Sequence, residues 1–378
     1  MALPTRHRSS SLCGAVALLM WVAVGCNAPP PGLRQDHERG PKPTGATVVG
    51  PGSSASTPAP LVAPPTGTAA GSVAPAPATT SASAASHPVR LTFAGDLALT
   101  MSVGLHIEAR AQGKPVPGHV DPDYPFTHVA DRLRSADLAV GNLECVRSWI
   151  GEVATDHNPF RCPPAAVGTL KRAGFDLVSV ANNHAMDYGQ KGFIDMLRQL
   201  DAGGLHHFGK ESFTPKPQPA FIREIRGIKV GLLAYFFTPP KPRRDVEAAR
   251  AEVDVLVVFN HWGPEDQVET LESQRLLARE YIDGGADLIV GCHAHVVQPI
   301  AWYRGKLIAY GIGNFVFNGM GHSEVHSRGA LLEVDVTQEG IVAHRMSGVR
   351  LDEHGAPHFE SDPAQVPALT PPRLPEAN

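Results

Sequence analysis

The chain has 378 residues, a formal net charge of −4 and an apolar fraction of 43%. That balance excludes a nucleic-acid binder, which would carry a basic face. The length suits one large domain or two smaller ones, each with a buried core. In chain order, Arg6, His7 and Arg8 head an apolar stretch from Leu12 to Gly25. The stretch is too short to stay in a membrane as a spanning helix and has the build of an export signal.

The signal ends in Ala23-Val24-Gly25-Cys26, small residues before a Cys that resemble a bacterial lipobox. Residues 1–26 thus read as a lipoprotein-type signal peptide, with Cys26 lipidated and membrane lipid as its partner. The expected location is an exported one, lipid-anchored to the bacterial membrane. Residues 27–87 are rich in Pro, Ala, Gly, Ser and Thr and contain no Phe, Tyr or Trp. They cannot bury enough apolar surface to offset their ordering entropy, so they read as a disordered tether. Of the five cysteines, Cys145 and Cys162 are candidates for a disulfide in an oxidising compartment, which leaves Cys292 as an odd thiol.

From residue 88 to 350 apolar, β-rich runs alternate with helical patterns. Strands are predicted at 89–94, 137–140, 175–180, 253–259 and 286–290. Helices are predicted at 126–136, 164–173, 189–200 and 269–282. Hairpins follow, at 300–303 with 306–310, and at 330–336 with 341–346 around Glu339-Gly340. Strands alternating with helices and then hairpins give an α/β sandwich with mixed sheets. Residues 351–378 read as a loose Pro-rich tail.

Each buried strand closes on a polar cluster: Gly95-Asp96; Asn142-Leu143-Glu144; Asn182-Asn183-His184 with Asp187; His261-Trp262-Gly263 with Glu265; and Gly291-Cys292-His293-Ala294-His295. In open α/β sheets ligands gather beyond the carboxyl ends of strands, so the clusters point to one shared site. The 18 histidines add weight to metal or acid–base chemistry. Asp, Glu, Asn and His are the O/N ligand set of borderline or hard divalent ions. His184 is suited to act as a general acid or a phosphate-binding donor. Each cluster alone has a plainer reading: Asp96 as a turn residue, Asp187 as a helix cap, Trp262 as core.

At these residues, and at Tyr310-Gly311-Ile312-Gly313-Asn314-Phe315, the chain resembles the CapA family of capsule (poly-γ-glutamate) biosynthesis proteins, itself similar to the calcineurin-type metallophosphatases. The resemblance implies a metallophosphatase-like four-layer αββα sandwich with two mixed β-sheets. It implies one or two divalent ions, such as Mn, Zn or Fe. Asp96 and His295 would hold one ion, Asn183, His261 and His293 the other, and Glu144 would bridge them. His184 would be catalytic, and Asn314, Glu265 and Asp187 would line the cleft. The implied substrate is an anionic polymer or a phosphoester, handled with a capsule-synthesis membrane complex. The chain departs from the pattern at Asp96-Leu97-Ala98, where the wider superfamily has Asp-x-His, and at Cys292 and Ala294, where His and Pro are usual in CapA relatives.

Overall fold

A computed structural model of the protein describes residues 87–114, 124–214, 218–239, 241–318 and 323–360. Cys26, the signal, the linker up to residue 86 and residues 361–378 lie outside the described residues. In chain order the elements are β1 (Val89–Leu97), α1 (Met101–Ala111), α2 (Ala130–Arg134), β2 (Leu138–Leu143), α3 (Ala166–Ala173), β3 (Leu177–Ser179), α4 (Gly189–Ala202) and β4 (His206–Phe208). They continue with β5 (Phe221–Ile225), β6 (Ile228–Phe236), α5 (Pro242–Arg250), β7 (Val255–His261), α6 (Glu272–Asp283) and β8 (Leu288–Cys292). The last six strands are β9 (Ile300–Tyr303), β10 (Lys306–Ala309), β11 (Asn314–Val316), β12 (Arg328–Thr337), β13 (Gly340–Leu351) and β14 (Pro357–Phe359).

Two mixed sheets result. One runs β14-β13-β12-β1-β2-β3-β4, with β11 also paired to β1; the other runs β5-β6-β7-β8-β10-β9. β1 to β4 are mutually parallel, as are β6, β7, β8 and β10. Three apolar clusters define the layers. Val89, Leu91, Phe93, Val140, Val230, Val257 and Val290 meet between the sheets. Leu133, Leu170, Phe193 and Met196 pack helices on the outer face of the first sheet. Val246, Leu277 and Tyr281 pack α5 and α6 on the outer face of the second. The order helix, sheet, sheet, helix is the four-layer αββα sandwich implied by the resemblance. Strands covered on both faces are apolar up to their carboxyl ends, which is why β7 and β8 lack alternation.

The sequence reading assigns no element between 200 and 253, yet β4, β5, β6 and α5 lie there. α1, β11 and β14 are likewise additional. Helix 126–136 shrinks to α2. β14 pairs antiparallel with the end of β13, so ordered structure continues past Asp352, where the composition predicts a loose tail. No helix among the described residues is long and apolar enough to cross a membrane.

Two glycines bring the sheets' ends close enough to share a site. A Cβ at Gly95 would lie 1.9 Å from the Gly313 carbonyl oxygen, and one at Gly291 would lie 1.8 Å from that of Tyr310. Only glycine lets β1 and β8 press against the segment leading to Asn314.

Candidate metal centre

The carboxyl ends of β1, β2, β3, β7 and β8 converge. Asp96, the last residue but one of β1, pairs in register with Asn142 of β2 and is fully buried. Its Oδ1 accepts a hydrogen bond from Asn142 Nδ2 (2.7 Å), and its Oδ2 accepts the His293 backbone N–H (3.3 Å). Glu144, one residue beyond β2, is buried with no hydrogen bond to either carboxylate oxygen. His261 Nε2 lies 3.5 Å and His295 Nε2 3.9 Å from Glu144 Oε1. His261 Nε2 also meets Asn183 Oδ1 at 2.8 Å, and the His261 and His293 ring centroids are 4.5 Å apart. All six expected ligands, Asp96, Glu144, Asn183, His261, His293 and His295, are therefore gathered in one pocket.

Five of them fall into two ligand groups, Asp96–Glu144–His295 and Glu144–His261–His293, the ligand atoms of each lying within 4.8 Å of one another. Glu144 belongs to both. The loop after β8 turns its two imidazoles inward through left-handed backbone, φ 91° at His293 and 56° at His295. Such conformations cost of the order of 1–3 kcal/mol in non-glycine residues and persist where the surroundings enforce them.

The electrostatics suit a cation. Burial, then the nearby Asp96, pushes the Glu144 carboxyl well above its ordinary range; burial raises Asp96 too, opposed by His295 and the Asn142 hydrogen bond. Burial and the neighbouring imidazoles lower His293 to about 4 and His261 well below the usual value. Two buried carboxylates, one of them without a hydrogen bond, share the pocket with the His261 and His293 imidazoles, which burial keeps from charging. That donor set fits one or two divalent ions.

Beside the ligands, His184 is held by three neighbours. Its Nδ1 lies 2.8 Å from Asp187 Oδ2, Phe160 stacks flat on the ring (3.8 Å, 5°), and His157 meets it edge-on. Asp187 is buried, also accepts the Phe160 backbone N–H (2.6 Å), and lies 3.2 Å from His157 Nε2. It therefore positions His184 rather than lining the cleft. Asn314 is corrected in the same way: it is buried behind His295, with Oδ1 2.9 Å from His295 Nδ1. This contact fixes the ring's orientation. Glu265 alone of the three expected cleft residues is exposed.

Cys145 and Cys162, expected to bridge, are both buried and free. Their sulfurs point at backbone carbonyls, Cys145 Sγ to Leu97 O (4.0 Å) and Cys162 Sγ to Cys145 O (3.8 Å). The Cys292 thiol lies against Asp96, and burial holds it in the protonated form. Four positioning residues escape the sequence reading: Asn142, Asn182, His157 and Phe160. Asn182 Nδ2 donates to Asn142 Oδ1 (3.0 Å), which ties the ends of β2 and β3 together beneath Asp96. Both amides stand inside the clusters quoted for Glu144 and His184. His157 and Phe160 sit in a loop with no periodicity to mark them.

A cavity of about 550 Å³ opens beside the centre, lined by His293, Glu265, Phe237, Thr238, Trp262 and Gln274 among others. Trp262 is almost wholly buried and donates to the Tyr310 carbonyl (2.8 Å), so it is a wall of this cavity and part of the core.

Fold and pocket together define an αββα sandwich protein with a carboxylate–imidazole centre suited to divalent ions. The chain belongs to the bacterial capsule synthesis protein PGA_cap family, whose model matches residues 90–319. It is 28% identical over 254 residues to the capsule biosynthesis protein CapA of Bacillus anthracis, across 60% of this chain and 59% of that one. It is 30% identical over 248 residues to the PGA biosynthesis protein CapA of Bacillus subtilis (strain 168), across 60% of this chain and 63% of that one. The chain thus spans about three fifths of the length of these curated relatives. A crystal structure of a hypothetical protein from Thermus thermophilus is similar at a TM-score of 0.47 and 19% identity, over 69% of this chain and 98% of that one.

Proposed function

We propose that the domain is a divalent-metal-dependent hydrolase of the phosphoester-cleaving type, acting in the assembly or release of an anionic capsule polymer such as poly-γ-glutamate. The observation that carries the chemistry is the sharing of Glu144 between the two ligand groups. Divalent ions bound there would supply positive charge to a reacting oxygen and acidify a water. The chain's own residues do the rest. Asp187 holds His184 Nδ1, leaving Nε2 to hand a proton to the departing oxygen. Phe160 fixes the plane of that ring. Asn142 and Asn314 keep Asp96 and His295 aimed at the centre. The polymer assignment is supported by the family and by the relatives' names.

The place of action we propose is the outer side of a bacterial membrane, with Cys26 lipidated and the chain working beside a capsule-synthesis complex. This rests on the sequence of residues 1–87.

The test is a panel of phosphoesters and γ-glutamyl amides offered to the purified chain loaded with Mn²⁺ or Zn²⁺. The expected result is turnover that a chelator removes and that His184→Ala lowers without loss of metal. One observation favours a second reading, a metal- or polymer-binding scaffold without turnover. Position 98, where the resemblance places a ligand His, is a buried Ala. Full metal occupancy with no turnover across the panel would select it.

A further inference from the structure

We propose that Glu265 is a ligand of the metal centre, standing on its open side opposite the buried Glu144 and supplying the donor that β1 lacks at Ala98. The inference rests on the metal-centre reading above. Glu144, His261 and His293, with Asn183 beside His261, give one ion four protein donors. Asp96, Glu144 and His295 give the other only three. Position 98 offers no fourth: the Ala98 side chain packs in the apolar layer under the helices, and its N–H is bonded to Val316 O (2.8 Å).

Glu265 is placed to fill that position. Its carboxylate forms a third group with the ring nitrogens of His293 and His295, all within 4.8 Å of one another, so it stands beside His295 of the three-donor group. Among the described residues no hydrogen bond or ion pair to Glu265 competes for this carboxylate. Exposed carboxylates usually move freely, but this one sits on a fastened loop. Gly263 and Asp266, on either side, take left-handed backbone, φ 80° and 65°. The Asp266 N–H bonds to Ala294 O (3.0 Å), which ties the loop to the residue between the two histidines. The Asp266 carboxylate is paired with His326. Gln298 Nε2 donates to Gln267 O (2.8 Å), and its own Oε1 accepts from Gln274 Nε2 (3.1 Å). A backbone fastened at the two residues after Glu265 is the kind of support that holds a ligand in coordination geometry. Glu265 also borders the 550 Å³ cavity, so its ion would face incoming substrate.

The test counts metal rather than activity. The purified chain is loaded with Mn²⁺ or Zn²⁺, desalted, and its metal is measured by mass spectrometry; affinities come from titration against a chelating dye. Wild type is expected to hold two ions. Glu265→Gln is expected to keep one ion at unchanged affinity and to bind the second at least tenfold more weakly, the lower end of what losing a metal-supporting group costs. The side chain is exposed, so the variant keeps the wild-type Tm in chelator. Two ions bound by Glu265→Gln at wild-type affinity would overturn the inference while leaving the centre intact. A wild-type chain that binds no ion would overturn the proposed function itself.

Discussion

Glu144 carries the energetic signature of the centre, and replacing it with Gln separates the two roles that a buried carboxylate can have. Without metal, Glu144 is buried and neither oxygen accepts a hydrogen bond, while Asp96 adds like charge nearby. An unsatisfied buried polar group costs about 1–3 kcal/mol, and a charged one more. Because burial raises its folded pKa, this cost is absent below the unfolded pKa of about 4.3 and grows as pH rises through and above that value. Glu144→Gln keeps the shape and removes the charge. In chelator at about pH 8, the variant should therefore be more stable than wild type by about 1–3 kcal/mol. That corresponds to roughly 3–10 °C in Tm for a domain of this size. The gap should narrow towards about pH 5, where less of the unfolded-state charge is present. With a divalent ion at a hundred times its Kd, wild type should gain about 2.7 kcal/mol. The variant, lacking the carboxylate common to both ligand groups, should gain less than a third of that. Differential scanning fluorimetry across pH, with and without metal, reads all of this. A variant less stable than wild type in chelator yet fully stabilised by metal would refute the reasoning.

Other outcomes follow from the same contacts. His184→Ala should lower kcat on any accepted phosphoester by about 10²–10⁴-fold with metal content unchanged, and Asp187→Asn should lower it less; steady-state kinetics with metal analysis checks both. His293, lowered to about 4 chiefly by burial, is neutral in the folded protein where an unfolded His titrates near 6.5. The metal-free fold should therefore lose up to about 3 kcal/mol as pH falls from about 6.5 to 4; urea titrations of His293→Asn should show a flatter profile across that window. Cys145, Cys162 and Cys292 are buried. In reduced protein from residue 88 onward none should react with a thiol reagent until the fold is denatured, when all three should; rapid native labelling would contradict this burial.

Much of the site can be read in the sequence because its residues sit where strands stop. An apolar run such as 253–259 marks a strand buried on both faces, and the first polar residues after it, here Asn260 and His261, mark the end at which ligands gather. The hairpin 330–346 shows its turn at Glu339-Gly340, and the paired strands β12 and β13 meet at Thr337 and Gly340. β5 and β6 are legible although the reading assigns no strand there: Arg226-Gly227 separates two β-rich runs, and the structure pairs Ile225 with Ile228. What sequence does not supply is orientation. That Asp187 and Asn314 stand behind imidazoles, not in the cleft, depends on χ angles and on contacts between strands far apart in the chain. The same holds for Phe160, whose stacking on His184 depends on how an irregular loop folds back. Cys145 and Cys162 are neighbours, as a bridge would require, but proximity does not set the direction of their sulfurs.

The most direct measurement is anomalous X-ray scattering from crystals of the protein soaked in Mn²⁺ or Zn²⁺, collected at the metal's absorption edge. A shared-carboxylate centre gives two peaks about 3.5–4 Å apart, one between Asp96 and His295 and one between His261 and His293, with Glu144 touching both. Peaks elsewhere, for instance only at His157 and Asp187, or none in a pocket whose side chains keep these positions, would contradict it.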